Sequence, residues 1–158
     1  MKLREIVVER AIIPSLASGE RDEVIGALLD ALIEAGAAPR EIRDDLLRSV
    51  LEREKKGSTG FGRGVAVPHV KHARVETMAA AVGLSQGGIE FEALDKQPVY
   101  SVFLLLSPED RPEEHLQAME VIFKNLSKET FRRFLRQASS VDDVTTLLED
   151  ADNQQLAG

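Results

Sequence analysis

The chain has 158 residues, 43% of them hydrophobic and 30% charged, enough aliphatic material for one globular domain and too much for a disordered chain. Twenty basic against 27 acidic side chains give a formal charge of −7, which removes the general attraction that dominates binding to nucleic acid and favours a basic-faced partner. Only six Phe and one Tyr are present, none of them interleaved with Lys or Arg in the manner of a base-stacking surface.

Cysteine is absent, so disulfides, thiolate metal sites and thiol catalysis are excluded, in agreement with a reducing compartment. Met1-Lys2-Leu3-Arg4-Glu5 leads into no apolar signal region, and the hydrophobic run around Val102 to Leu106 is far too short to span a bilayer. A cytoplasmic protein without direct membrane insertion is expected.

Val7 to Ile13 reads as a short extended segment. Val24, Ile25, Leu28, Leu29, Leu32 and Ile33 then form the apolar stripe of a helix ending at Gly36. Pro39 suits the first turn of a second helix with Ile42, Leu46, Leu47, Val50 and Leu51 on its inner face, closing at Lys55-Lys56-Gly57 with Arg53 in the last turn. Four glycines between Gly57 and Gly64, with Ser58 and Thr59, make a loop. Val65-Ala66-Val67 is strand-like, and Pro68 disfavours helix at Val67, which leaves His69 at a strand end.

Ala79 to Leu84 and Val99 to Leu106 are apolar without a helical face and read as buried strands, bounded by Gly87-Gly88, Pro98 and Pro108. Pro112-Glu113-Glu114-His115 opens a helix with Leu116, Met119, Ile122, Phe123 and Leu126 on one side. Phe131, Phe134 and Leu135 mark another helix, and Ser140 to Asp143 resembles a capping box ahead of Val144, Leu147 and Leu148. With no internal repeat or linker, the expectation is α/β: a single-domain sandwich over residues 1–150, its mixed central β-sheet flanked by helices on both faces, with a flexible tail over 151–158.

Three positions carry candidate chemistry. A phosphoryl group needs converging N–H donors, which small loop residues permit, and a neutral imidazole is a natural nucleophile for it near pH 7. His69 follows such a loop, so Ser58, Thr59, Gly60, Gly62 and Gly64 are candidates for the phosphate site. His115, in the first turn of its helix, is disfavoured as a cation by the helix dipole and suited to donate one N–H to an anion. Arg53 either complements its helix end or, if the loop folds back, clamps phosphate oxygens with its planar fork. His69 and His72 form an H-x-x-H pair, but Pro68 opposes a helix there and no Asp or Glu lies between them, so a metallohydrolase is the weaker reading.

The residues Glu52-Arg53-Glu54 and Gly57-Ser58-Thr59-Gly60-Phe61-Gly62-Arg63-Gly64-Val65-Ala66-Val67-Pro68-His69 resemble the signature of the fructose/mannitol-class enzyme IIA domain of the bacterial phosphotransferase system. The likeness continues through Gly88-Ile89-Glu90-Phe91, Leu94-Asp95, Pro98-Val99, Val102-Phe103-Leu104-Leu105 and Glu114-His115-Leu116. It implies that His69 accepts a phosphoryl group from the histidine phosphocarrier protein, with His115 and Arg53 beside it, and that no metal or organic cofactor takes part. Arg63 stands where the family often has Asn, a departure that bears on the loop. Downstream, the resemblance implies either a nitrogen-regulatory IIA acting on a regulated protein, suggested by the Met1-Lys2-Leu3 opening and the lack of a fused carrier or membrane part, or a sugar-transport IIA passing the group to a IIB domain. A noncatalytic binding module that has lost its donor is a further alternative.

Overall fold

The computed structural model describes residues 1–155. In chain order the elements are α1 (Leu3–Ile6), β1 (Val7–Ile13), α2 (Arg21–Glu34), a 3₁₀ turn (Arg40–Ile42), α3 (Arg43–Lys56), β2 (Gly60–Gly62), β3 (Val65–Ala66), β4 (His69–His72), β5 (Ala79–Ile89), β6 (Val99–Pro108), α4 (Pro112–Leu126), α5 (Glu129–Gln137) and α6 (Val141–Asp152). The strands form one sheet in the order β1-β5-β6-β3-β2, with β4 also paired to β6. β5 and β6 are antiparallel, whereas β1 runs parallel to β5, and β3 and β4 run parallel to β6. The sheet is therefore mixed, as the sequence leads one to expect.

Helices cover both faces, and the alternation along the central strands shows how. Ala79, Ala81, Val102, Leu104 and Leu106 pack with Leu28, Leu29 and Leu32 of α2 and Leu46 and Val50 of α3. Their neighbours Ala80, Val82, Phe103 and Leu105 join Ile122 of α4, Phe131 and Leu135 of α5, and Val144 and Leu148 of α6 in a second layer. Buried on both sides, the strands carry continuous apolar runs, which is why their sequence lacks a polar face.

Several boundaries differ from expectation for local reasons. Gly87 and Gly88 bend β5 rather than end it: the register with β6 shifts between Leu84 and Ile89, and Gly88 takes a φ of 91°. Pro39 is extended and precedes the 3₁₀ turn, so the regular helix α3 starts only at Arg43. The inner face of α4 comprises His115, Ala118, Ile122, Asn125 and Leu126, while Leu116 is 61% exposed. The buried stripe is rotated away from the purely apolar one.

Ser140 accepts a hydrogen bond from the Asp143 N–H (3.0 Å) at the start of α6, while the Asp143 carboxylate accepts from the N–H of Ser139, one residue earlier than a full capping box requires. Residues 151 and 152, expected to open a tail, belong to α6 instead, with Ala151 buried; residues 156–158 lie outside the described part. Among the described residues, no helix is long and apolar enough to cross a membrane.

Candidate functional site

The strand alternation that builds the two core layers also sorts the histidines. Val70 of β4 faces the layer containing α2 and α3, so its neighbour His69 faces α4, and His72, an odd number of residues further along, faces α3. β4 runs parallel to β6 with His69 opposite Leu105, and the break at Val67-Pro68 is spanned by a hydrogen bond from the Leu105 N–H to the Pro68 carbonyl. His69 thus opens a strand held against the centre of the sheet.

Across from it, α4 begins with Pro112 at its first position, and His115 follows one turn in, its N–H donating to the Arg111 carbonyl (3.1 Å). The two imidazoles meet: their ring centroids are 5.6 Å apart at an interplanar angle of 51°. One small anion can touch both rings at that distance.

Hydrogen bonding then fixes the chemistry of His69. Its Nδ1 lies 2.8 Å from the Val67 carbonyl oxygen, and a carbonyl only accepts, so Nδ1 carries the proton. In the neutral ring Nε2 is the bare nitrogen, with a lone pair to offer. His115 is only 6% exposed, and its pKa is pushed down to about 4 by burial first and then by the charges of His69 and Lys71. It is uncharged at neutral pH.

His72 belongs elsewhere. Its Nδ1 accepts from the Arg74 N–H (3.0 Å), which leaves the proton on Nε2 to donate to Asp45 of α3 (2.8 Å). The strand turns this ring away from His69, so the two do not share a metal. Among the described residues, no cluster of three or more His, Asp or Glu side chains has metal-site geometry.

The glycine loop is more structured than its composition suggests. β2 and β3 form a hairpin in which Gly62 pairs with Val65 across the two-residue turn Arg63-Gly64. Both turn residues have positive φ, 60° and 79°, as a type I′ turn requires, and Gly62 precedes them at 116°. Position 63 is therefore left-handed, a conformation that Asn adopts more readily than Arg, which makes Arg63 a strained choice.

Several loop donors are already engaged. Thr59 is buried and gives both its N–H and its hydroxyl to the buried carboxylate of Glu54, and Gly60 N–H donates to the Ser58 hydroxyl oxygen (2.9 Å). Arg63 N–H donates to Asp95 (3.3 Å). Arg53, in the last turn of α3, donates from Nη1 to the Gly57 carbonyl (2.6 Å), tying its guanidinium to the start of the loop and leaving other N–H groups in its fork. His69 and His115 are thus brought together directly, and Arg53 is anchored to the loop between α3 and the hairpin.

One neighbour was not legible beforehand. Ser107, fully buried near the end of β6, lies 2.7 Å from Nδ1 of His115 through its hydroxyl. A serine directly after an apolar strand run is the signal for it in the sequence.

Residues 5–151 match the family model described as phosphoenolpyruvate-dependent sugar phosphotransferase system, EIIA 2. The chain is 33% identical over 152 residues to the PTS system fructose-specific EIIABC component of Bacillus subtilis, covering 96% of this chain and 24% of that larger protein. It is 30% identical over 155 residues to a nitrogen regulatory protein of Pseudomonas aeruginosa, covering 98% and 99% of the two chains. The solved structure of Nitrogen Regulatory Protein IIA-Ntr from Neisseria meningitidis superposes with a TM-score of 0.80 at 31% identity, over 91% of this chain and 97% of that one.

Proposed function

Since the chain belongs to the EIIA type-2 family of the phosphoenolpyruvate-dependent sugar phosphotransferase system, and is thereby a phosphoryl carrier, we propose that Nε2 of His69 is the atom that accepts the group. The observation that supports this reading most strongly is the pairing of the two rings at 5.6 Å, with Nδ1 of His69 committed to the Val67 carbonyl. A bare Nε2 is what nucleophilic attack on phosphorus needs.

The donor is the histidine phosphocarrier protein, as the family resemblance suggests. In the transfer, the lone pair on Nε2 of His69 attacks the donor's phosphohistidine in line; a new N–P bond forms as the donor's N–P bond breaks, and the leaving imidazole keeps the electron pair. Charge on the moving group is stabilised by the neutral His115 ring, by the free N–H groups of Arg53 and by loop donors, among them the Ser58 hydroxyl. Although uncharged at neutral pH, His115 keeps one ring N–H that it can donate to a phosphoryl oxygen. Exposed Leu116, beside His115, and Phe61 and Phe123, whose ring centroids lie 4.9 Å apart, offer apolar surface for the docking carrier.

Downstream we assign a nitrogen-regulatory role, in which the phosphorylation state of His69 changes which protein is bound. This is favoured by the near full-length match to the Pseudomonas aeruginosa nitrogen regulatory protein and by the fit to IIA-Ntr. The second reading is transfer to a IIB domain in sugar uptake, supported by the fructose-specific relative. Loss of growth on a single sugar after deletion of the gene would favour transport, and a regulatory phenotype across sugars would favour the first.

Incubation with phosphoenolpyruvate and the two general upstream proteins should give an acid-labile adduct that disappears in His69→Ala. Label persisting in that variant would refute the assignment.

A further inference from the structure

Ser107 has no part in the reading above, yet its direction is set by the sheet. β6 is hydrogen-bonded on both sides, with Ser107 opposite Lys71 of β4 and Leu106 opposite Ala79 of β5. Phe103 and Leu105 point into the layer beneath α4, and Ser107, two residues further on, faces the same way. The strand thus places a hydroxyl with no solvent exposure under the first turn of α4. A buried hydroxyl is costly unless it is used. Among the described residues, its hydrogen-bond partner is Nδ1 of His115, 2.7 Å away.

The direction of that bond follows from counting protons. If Nδ1–H of His115 donated to the serine oxygen, the serine proton would be buried without an acceptor and Nε2 of His115 would be bare. If the hydroxyl donates, only spare lone pairs are left over, and the ring proton resides on Nε2. A buried donor without an acceptor is the costlier omission, because an acceptor with two lone pairs is often only half used.

We infer that Ser107 is a positioning residue: its hydroxyl donates to Nδ1 of His115 and thereby fixes that imidazole as an Nε2–H donor toward the group carried on His69. The inference rests on the phosphoryl-carrier reading. Backbone and side chain then set the two rings in opposite tautomers, His69 through the Val67 carbonyl and His115 through Ser107. One ring presents a lone pair to phosphorus and the other presents a proton to a phosphoryl oxygen. Two rings of the His69 kind would set a second lone pair against the anion.

The tautomers are read by nitrogen NMR on the unphosphorylated protein, and the rate of phosphoryl acceptance is measured separately, for wild type, Ser107→Ala and Ser107→Cys. Wild type should show His115 protonated on Nε2. Ser107→Ala should populate the Nδ1–H form of His115, leave the His69 tautomer unchanged and accept the phosphoryl group roughly tenfold more slowly, the scale of one aligned hydrogen bond. The thiol, a weaker donor of similar size, should fall between, and a melting curve for each variant separates these effects from loss of fold. A wild-type His115 already protonated on Nδ1, or an alanine variant with unchanged tautomer or unchanged rate, would overturn the inference. Because the tautomer is read before any transfer, failure of wild type to accept a phosphoryl group would count against the function and leave the Ser107 result to be judged on its own.

Discussion

At the scale of single residues, the site separates two histidines of the same chemistry by their surroundings. His69 is tied through Nδ1 to a backbone carbonyl at a strand start, while His115 is buried against the sheet and held by a hydroxyl. The depressed pKa of His115 has a consequence for stability. Its folded value, about 4, lies below that of an unfolded histidine, so the unfolded chain takes up the proton first as pH falls. The stability this ring contributes is complete above the unfolded pKa near 6.5 and drains away as pH drops from there toward 4. Urea unfolding at pH 7.5 and at pH 5 should show wild type losing more stability on acidification than His115→Gln, which carries no titrating ring. Equal losses in the two proteins would contradict the burial argument. His115 also marks a limit of reading from sequence. Its place in the first turn of a helix was visible, but apolar residues alone define a stripe through Leu116, and only packing against β6 turns His115 inward.

Among the elements, the hairpin is where composition and structure differ most usefully. The glycines between α3 and β4 suggested an open phosphate cradle, whereas Gly62 and Gly64 serve a tight turn and the N–H groups of Thr59, Gly60 and Arg63 are already bonded. Turn chemistry and anion binding draw on the same residue types, so spacing alone does not separate them. The turn gives a direct prediction. Arg63 holds a left-handed φ of 60° that a Cβ disfavours, so Arg63→Gly should stabilise the fold by roughly 0.5–1 kcal/mol in chemical denaturation, with Arg63→Asn gaining less. The main-chain bond to Asp95 survives either change. A destabilised glycine variant would show that the arginine side chain makes up for the strain. The buried strands β5 and β6 are legible because short apolar runs without a helical face, bounded by Gly and Pro, suit strands covered on both sides, whereas Gly87-Gly88 marks an end in composition and a bend in the structure.

For the molecule as a whole, the mixed sheet with helices on both faces followed from the order of strands and stripes, and the long-range closure did not. The Asp152 carboxylate at the end of α6 accepts the backbone N–H groups of Leu3 (2.7 Å) and Arg4 (2.9 Å), capping the short α1 across almost the full length of the chain. No local pattern encodes a cap supplied from so far away. Asp152→Ala should therefore cost about 1–2 kcal/mol, the range for losing a carboxylate cap, and Asp152→Asn, which keeps one acceptor oxygen, should cost less. Unchanged urea midpoints would show that the two ends are held by apolar packing alone. The same architecture puts both site histidines on rigid elements, β4 paired to the central strand and α4 seated over it, so that their separation does not depend on a loop.

Which atom receives the phosphoryl group decides the chemistry of the site. Nitrogen-labelled protein, phosphorylated by the upstream carrier and studied by proton–nitrogen NMR, reports the substituted ring nitrogen directly. A single phosphohistidine at Nε2 of His69, with His115 unmodified, is the predicted spectrum. Substitution at Nδ1 of His69, which would require breaking its bond to the Val67 carbonyl, or phosphorylation of any other residue, would contradict it.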